Sequence, residues 1–172
     1  NAQFNAKKVG QWPGRGIFEV SNSIRFNAAD TQKLTFTPEN SGSTRKLTFS
    51  FWFKRGNIDG NDHHFIGSQT DSQNLFGIRI KSDNKLQFLN AVGGTTGNGF
   101  TYKSNSEFKD PSAWYHVVVA IDTTNSNGNG GLISYINGVR QTVYSISSYN
   151  QNTDMDINVA GQVINVGTKS DS

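Results

Sequence analysis

The stretch from Ala113 to Arg140 reads A-W-Y-H-V-V-V-A-I-D over 113–122, then a soft loop, then G-L-I-S-Y-I-N-G-V-R over 131–140. Its first half alternates. Tyr115, Val117, Val119 and Ile121 point one way, and Trp114, His116, Val118, Ala120 and Asp122 point the other. Both sets are largely apolar, so the run is expected to be an inner strand of a sandwich, buried on both sides. Leu132 to Ile136 is a second β-rich run that ends on Asn137-Gly138, a pair that accepts positive φ at both turn positions. Val139 to Tyr144 is the expected returning strand.

Working outward, Arg45 to Arg55 gives the other strong strand. Leu47, Phe49, Phe51 and Phe53 form one face, and Thr48, Ser50, Trp52 and Lys54 the other. Four large apolar groups at period two are a core face, each stabilising by roughly 1.5–3 kcal/mol when buried. Trp52 is the only large group opposite; it is expected to pack rather than to serve as a sugar-stacking platform. His63–Gln69, 74–81 and 85–91 read as further strands, the last two joined at Asp83-Asn84. The glycine-rich run 93–99 reads as a mobile loop before a short strand at 100–103. Polar residues 104–112 lead into the organising strand. Short β runs are expected at 17–20, 23–27 and 33–37, followed by a polar loop at 38–44. Residues 155–160 and 162–167 are expected to pair about Gly161. Residues 1–15, with Trp12-Pro13-Gly14, read as an arm or linker, and 16–172 as one domain. No helical period of 3.6 stands out. Strands at about 8–12-residue spacing specify an all-β, antiparallel two-sheet sandwich or jelly roll.

Composition bounds the function. The 172 residues suffice for one domain with a real core. The net charge is only +3 and the basic residues are dispersed, which opposes nucleic acid as a partner. No apolar run reaches the ~20 residues that cross a bilayer, so no membrane insertion is expected. There is no cysteine, hence no disulfide framework, zinc-thiolate site or Cys nucleophile. The first residues lack the order of a signal peptide, and with no initiator Met the chain reads as processed or as a piece of a longer one.

The order S-I-R-F-N, L-T-F-S-F-W-F-K-R-G, W-Y-H-V-V-V-A-I-D-T-T, L-I-S-Y-I-N-G-V and I-N-V-G resembles the laminin-G-like, concanavalin A-like jelly-roll domains. The resemblance spans about Val20 to Gly167. F-W-F-K-R-G together with V-A-I-D-T-T is most similar to versions in bacteriophage, especially marine phage, structural and tail-associated proteins. It implies two stacked antiparallel sheets whose concave face or rim loops carry ligand. Family members usually continue into a G-Y-(I/L)-x-E-V strand, and this chain stops at Ser172 before it, which reads as a truncation.

The chemistry follows from both readings. The family's glycosidases use an E-x-D-x-x-E pattern that is missing here, and Asp154 with Asp156 reads as a solvated pair, so no enzyme is expected. Tyr144, Tyr149, Asn150, Gln151 and Asn152 place aromatics beside amides in one loop, a candidate glycan site; Tyr102 beside the glycine-rich run is a second. Asp59, Asn61 and Asp62, with Asp71 near, offer part of the ~6–8 oxygens that calcium requires. His63-His64 point to opposite faces, which opposes one zinc site, and His116 reads as a packed sheet residue. The expected role is a non-enzymatic structural or attachment domain on the surface or tail of a phage particle. A tail fibre, capsid decoration or appendage would fit, touching other virion proteins, its own copies or a host-surface glycan. The alternative is a carbohydrate-binding module of an exported bacterial protein, secreted or at the cell surface, assisted by Ca2+.

Overall fold

The computed structural model describes residues 22–27, 32–127, 131–142 and 144–169. The arm expected over 1–15 and the strand over 17–20 lie outside them. Eleven strands run in order: β1 (Leu34–Phe36), β2 (Lys46–Lys54), β3 (His63–Gln69), β4 (Leu75–Ile80), β5 (Lys85–Val92) and β6 (Thr95–Glu107), then β7 (Trp114–Asp122), β8 (Leu132–Ile136), β9 (Val139–Gln141), β10 (Tyr144–Tyr149) and β11 (Ile164–Val166). They form two antiparallel sheets, one of seven strands ordered β1-β11-β3-β4-β5-β6-β10 and one of four ordered β2-β7-β8-β9. No helix among the described residues is long and apolar enough to cross a membrane.

The alternation of β2 builds half of the core. Phe53 is buried outright, and Leu47, Phe49 and Phe51 pack against the buried cluster beside Val117, Val119 and Ile121 of β7. Across the sandwich they meet Phe76, Ile78 and Ile80 of β4, Leu86 and Phe88 of β5, and Phe100 and Tyr102 of β6. Aromatic rings join the sheets, with Phe49 stacked 5.7 Å from Phe76 and Phe53 4.6 Å from Phe65. Arg55, just past β2, is buried and donates from Nη1 to Asn84 Oδ1 at 2.6 Å and to the Phe108 carbonyl at 2.9 Å, which satisfies those donors inside the fold.

Turns sit where the sequence marks them. Asn137 and Gly138 take φ of 51° and 79° between β8 and β9. Several expectations change. The run 93–99 is no loop: Gly93 and Gly94 turn at φ 61° and 79°, and β6 begins at Thr95. Those two glycines supply a tight hairpin that pairs Thr95 with Val92, and β6 then bulges before pairing resumes at Phe100 opposite Asn90. Gly99 lies so close to β5 that a Cβ there would stand 2.0 Å from the Asn90 carbonyl oxygen. Residues 155–160 form no strand; β11 pairs with β1 and β3 instead. Residues 22–27 carry no strand either. The returning strand divides: β9 closes the smaller sheet, and β10 pairs with β6 of the larger one.

Candidate functional site: the outward face of the four-stranded sheet

The faces of β2 and β7 are set by their register. Phe53 pairs with Tyr115 and Phe51 with Val117 on the core side, so Trp52 pairs with His116 on the outer side. Outward rows then cross the sheet. Thr48, Ala120 and Ile133 form one, and Ser50, Val118, Tyr135 and Arg140 the next. Beyond them lie Trp52 opposite His116, and Lys54 opposite Trp114. This corrects two expectations. β7 is not buried on both sides, and Trp52 is not packed within the sandwich: its exposure is 56%, that of Trp114 45% and that of Tyr135 38%. The outer set is apolar without being covered.

The geometry is ordered. The Trp52 and His116 rings lie 4.6 Å apart at 10°, a parallel stack. Ser50 Oγ and His116 Nε2 are 3.1 Å apart. The turn residue Asn137 clamps the His116 backbone, accepting from its N–H at Oδ1 and donating to its carbonyl, each at 2.8 Å. Trp114 stands diagonally from Trp52, a relation that spans about 7–8 Å between antiparallel strands. Lys46 pairs with Asp122 at 3.2 Å at the far end of the face. The result is a row of exposed aromatic surface with hydroxyls at Thr48 and Ser50 and cations at Lys54 and Arg140. It can stack flat apolar faces and hydrogen-bond polar rims; the Ser50 hydroxyl and the His116 imidazole meet within it, and no carboxylate contact orients that ring among the described residues.

The residues expected to bind glycan have other duties. Tyr102 is 1% exposed, with its ring 5.4 Å from Phe100 and 6.3 Å from Tyr149; it belongs to the core and presents nothing to a ligand. Its strand position, alternating with Thr101 and Lys103, turns it inward. Tyr149 packs on it and donates its hydroxyl to the Thr123 carbonyl at 3.0 Å. Gln151 donates to the Thr124 carbonyl at 2.9 Å, Asn150 to Asn98 at 3.4 Å, and the Asn152 N–H to Thr123 at 2.7 Å. The loop ties neighbouring turns together. Tyr144 lies in β10, paired with Ser104.

The acidic residues are likewise engaged by protein donors. Asp59 accepts from the Asn61 N–H at 3.0 Å and lies 2.9 Å from His63 Nε2. These contacts, the Asn61 amide foremost, hold its carboxyl down at about 2. Asp62 faces away from that pair, to Lys81 at 2.5 Å and the Ser82 N–H at 2.9 Å. Asp71 caps its own turn through the N–H groups of Gln73 and Asn74. Among the described residues no three His, Asp or Glu side chains converge as a metal site would require. Asp154 accepts from Thr44 and Arg45, and Asp156 from Thr70, so this pair fastens loops while Asp154 stays exposed to solvent, as expected.

Comparison with known proteins agrees with the architecture. No curated protein matches the sequence significantly. The mouse laminin α1 chain, domains LG4-5, superposes with a TM-score of 0.53 at 9% identity, over 77% of this chain and 31% of that one. The LG1-3 region of the laminin α2 chain gives 0.47 at 16%, over 78% of this chain and 25% of that one. This chain thus spans about a third or less of these two solved structures, and the first likeness shows the fold alone. The sequence profile of a laminin-G-like family described as the concanavalin A-like lectin/glucanases superfamily matches residues 26–168, most of the chain. With its two antiparallel sheets and eleven described strands, the chain belongs to that laminin-G-like family of the concanavalin A-like lectin/glucanases superfamily.

Proposed function

We propose that this domain is a non-catalytic recognition module that holds a surface polysaccharide against the outward face of its four-stranded sheet. The observation that carries the reading is the pair Trp52 and Trp114, both about half exposed on one face, with Trp52 braced by His116. Core packing does not use these rings. Flat exposed aromatics edged by hydroxyls, Lys54 and Arg140 suit sugar rings, whose faces are apolar and whose rims are polar.

The test is affinity electrophoresis against a panel of bacterial surface polysaccharides. At least one should retard the wild-type chain, and Trp52→Ala and Trp114→Ala should each weaken it about tenfold or more, equivalent to ~1.4 kcal/mol. Tyr149→Phe should leave it unchanged. Retardation that survives both Trp substitutions would overturn the reading. A face that retards nothing, yet self-associates or captures a particle protein, would assign it to protein contact.

The setting we propose is the surface or tail of a bacteriophage particle, supported by the phage-like wording of F-W-F-K-R-G and V-A-I-D-T-T. Peptide mass spectrometry of purified particles should recover the segment from Trp114 to Arg140 enriched with the virion. Recovery only from cell-wall or medium fractions would make the chain an exported bacterial module instead.

A further inference from the structure

The second sheet carries a separate feature. Gly67 of β3 and Gly77 of β4 are register partners, and Leu89 of β5 is the partner of Gly77 on its other side. Two adjacent glycines leave the outward face without side chains at that point, and the buried Leu89 becomes a floor. A groove of about 460 Å³ results, within the range that holds small ligands. His64, Gln69, Ser72, Arg79 and Lys169 line it. Arg79 and Gln87 share the next row, as do His64 and Arg79.

The lining is positive and rich in donors. Arg79 Nε donates to Gln87 Oε1 at 2.7 Å, and Nη1 lies 3.5 Å from Asp62 Oδ2; neither contact uses Nη2. Of the two cations in the lining, Arg79 shares the Asp62 carboxylate with Lys81, which lies 2.5 Å from it, and Lys169 is paired with none among the described residues. Burial, reinforced by Arg79, pushes the His64 imidazole down to about 4, so at neutral pH it offers one donor and one acceptor. Asn165 of β11 continues the glycine row beyond Gly67; it is 3% exposed and its Oδ1 lacks a partner.

We propose that this groove binds one residue of an acidic saccharide, its carboxylate or sulfate held by Arg79 and Lys169 and its hydroxyls by His64, Gln69 and Ser72. A guanidinium held in place by two protein acceptors is preorganised for a planar or tetrahedral anion. The floor of Leu89 between glycines takes the apolar face of a pyranose. Phosphate chains of nucleic acid fit less well, because the groove is short and the basic residues elsewhere are dispersed. The site lies on the opposite sheet from Trp52 and stands independently of the polysaccharide platform.

Isothermal titration with tetragalacturonate, a sulfated tetrasaccharide and neutral maltotetraose tests it. The two acidic probes should bind and maltotetraose should not. Arg79→Gln and Lys169→Gln should each weaken binding about tenfold, the loss of one charge-assisted hydrogen bond. Gly77→Val should abolish it: the Gly77 Cβ position is in ordinary contact with Leu89 at 3.6 Å, so the strand accepts the side chain while the groove fills. Trp52→Ala should have no effect, which separates this site from the other sheet. Lys169→Gln guards against misfolding, since Lys169 supports no ion pair. Binding unchanged in Lys169→Gln and Gly77→Val, or equal binding of maltotetraose, would overturn the proposal, as would binding of inorganic sulfate alone with no saccharide preference.

Discussion

The indole of Trp52 and the imidazole of His116 lie parallel, 4.6 Å apart, on the outward face of the four-stranded sheet, and the turn residue Asn137 fixes the backbone beneath them. A stack held from below presents its upper face in one orientation. Ordering a surface ring before binding lowers the entropy lost when a ligand arrives.

Asn137 therefore has two tasks. It takes φ of 51°, and it bonds His116 twice. Asn137→Ala strains the turn and leaves a backbone N–H without its acceptor, at a cost of about 1–3 kcal/mol. Urea unfolding should show that loss, and polysaccharide affinity should fall although no contacting ring has been removed. Asn137→Gly should recover most of the turn strain but not the bond.

Phe88 sits at the centre of the larger sheet, paired with Ile78 and Tyr102 and fully buried. Phe88→Ala should cost about 3–5 kcal/mol through lost burial and the cavity left behind. The denaturant midpoint should drop accordingly. A change under ~1 kcal/mol would mean that the sheets do not close on this ring.

Two strand glycines should respond in opposite ways. At Gly99 a Cβ would meet the Asn90 carbonyl oxygen at 2.0 Å, backbone that moves only by parting β5 from β6. Gly99→Ala should destabilise by about 3 kcal/mol or more. At Gly77 the nearest atom is 3.6 Å away, and Gly77→Ala should leave thermal stability within about 0.5 kcal/mol.

Acid should weaken the fold in two steps. The His64 imidazole is held near 4 in the folded chain against 6.5 when unfolded, chiefly by burial and then by Arg79. The unfolded chain takes up that proton first, so stability is complete above pH 6.5 and declines as pH falls toward 4. Asp59, held near 2 against 3.8, contributes above pH 3.8 and loses its contribution as pH falls toward 2. Stability measured against pH should flatten between 6.5 and 4 in His64→Gln and between 3.8 and 2 in Asp59→Asn.

Much of the sandwich was legible because Leu47, Phe49, Phe51 and Phe53 alternate with polar residues, and Asn137-Gly138 admits one kind of turn. The strand 113–122 shows where alternation stops informing. Its two faces are both apolar, and hydrophobicity alone does not separate a face that is covered from one that waits for a ligand. Trp52 was misread for that reason. The useful signal was in the partner strand: Trp52 shares its face with Thr48, Ser50 and Lys54, a mixture that suits solvent better than a core.

Tyr102 failed in the other direction. Its glycine-rich neighbourhood suggested an exposed loop, but Gly99 is there to bring β5 and β6 close, and that pairing carries Tyr102 inward. The groove had no local sequence signal. Gly67 and Gly77 become neighbours only through the β3–β4 register, and Lys169 joins Arg79 in the groove lining from ninety positions away.

The measurement that bears most directly on the recognition surface is a two-dimensional NMR titration of the chain with the polysaccharide it retains, observing indole N–H signals assigned from Trp52→Phe and Trp114→Phe. The signals of Trp52 and Trp114 should move together and saturate at one ligand concentration, with amides of Ser50, His116 and Tyr135 following. Perturbations confined to Tyr149 and residues 150–152, with both indoles unmoved, would contradict the account and return recognition to the loops.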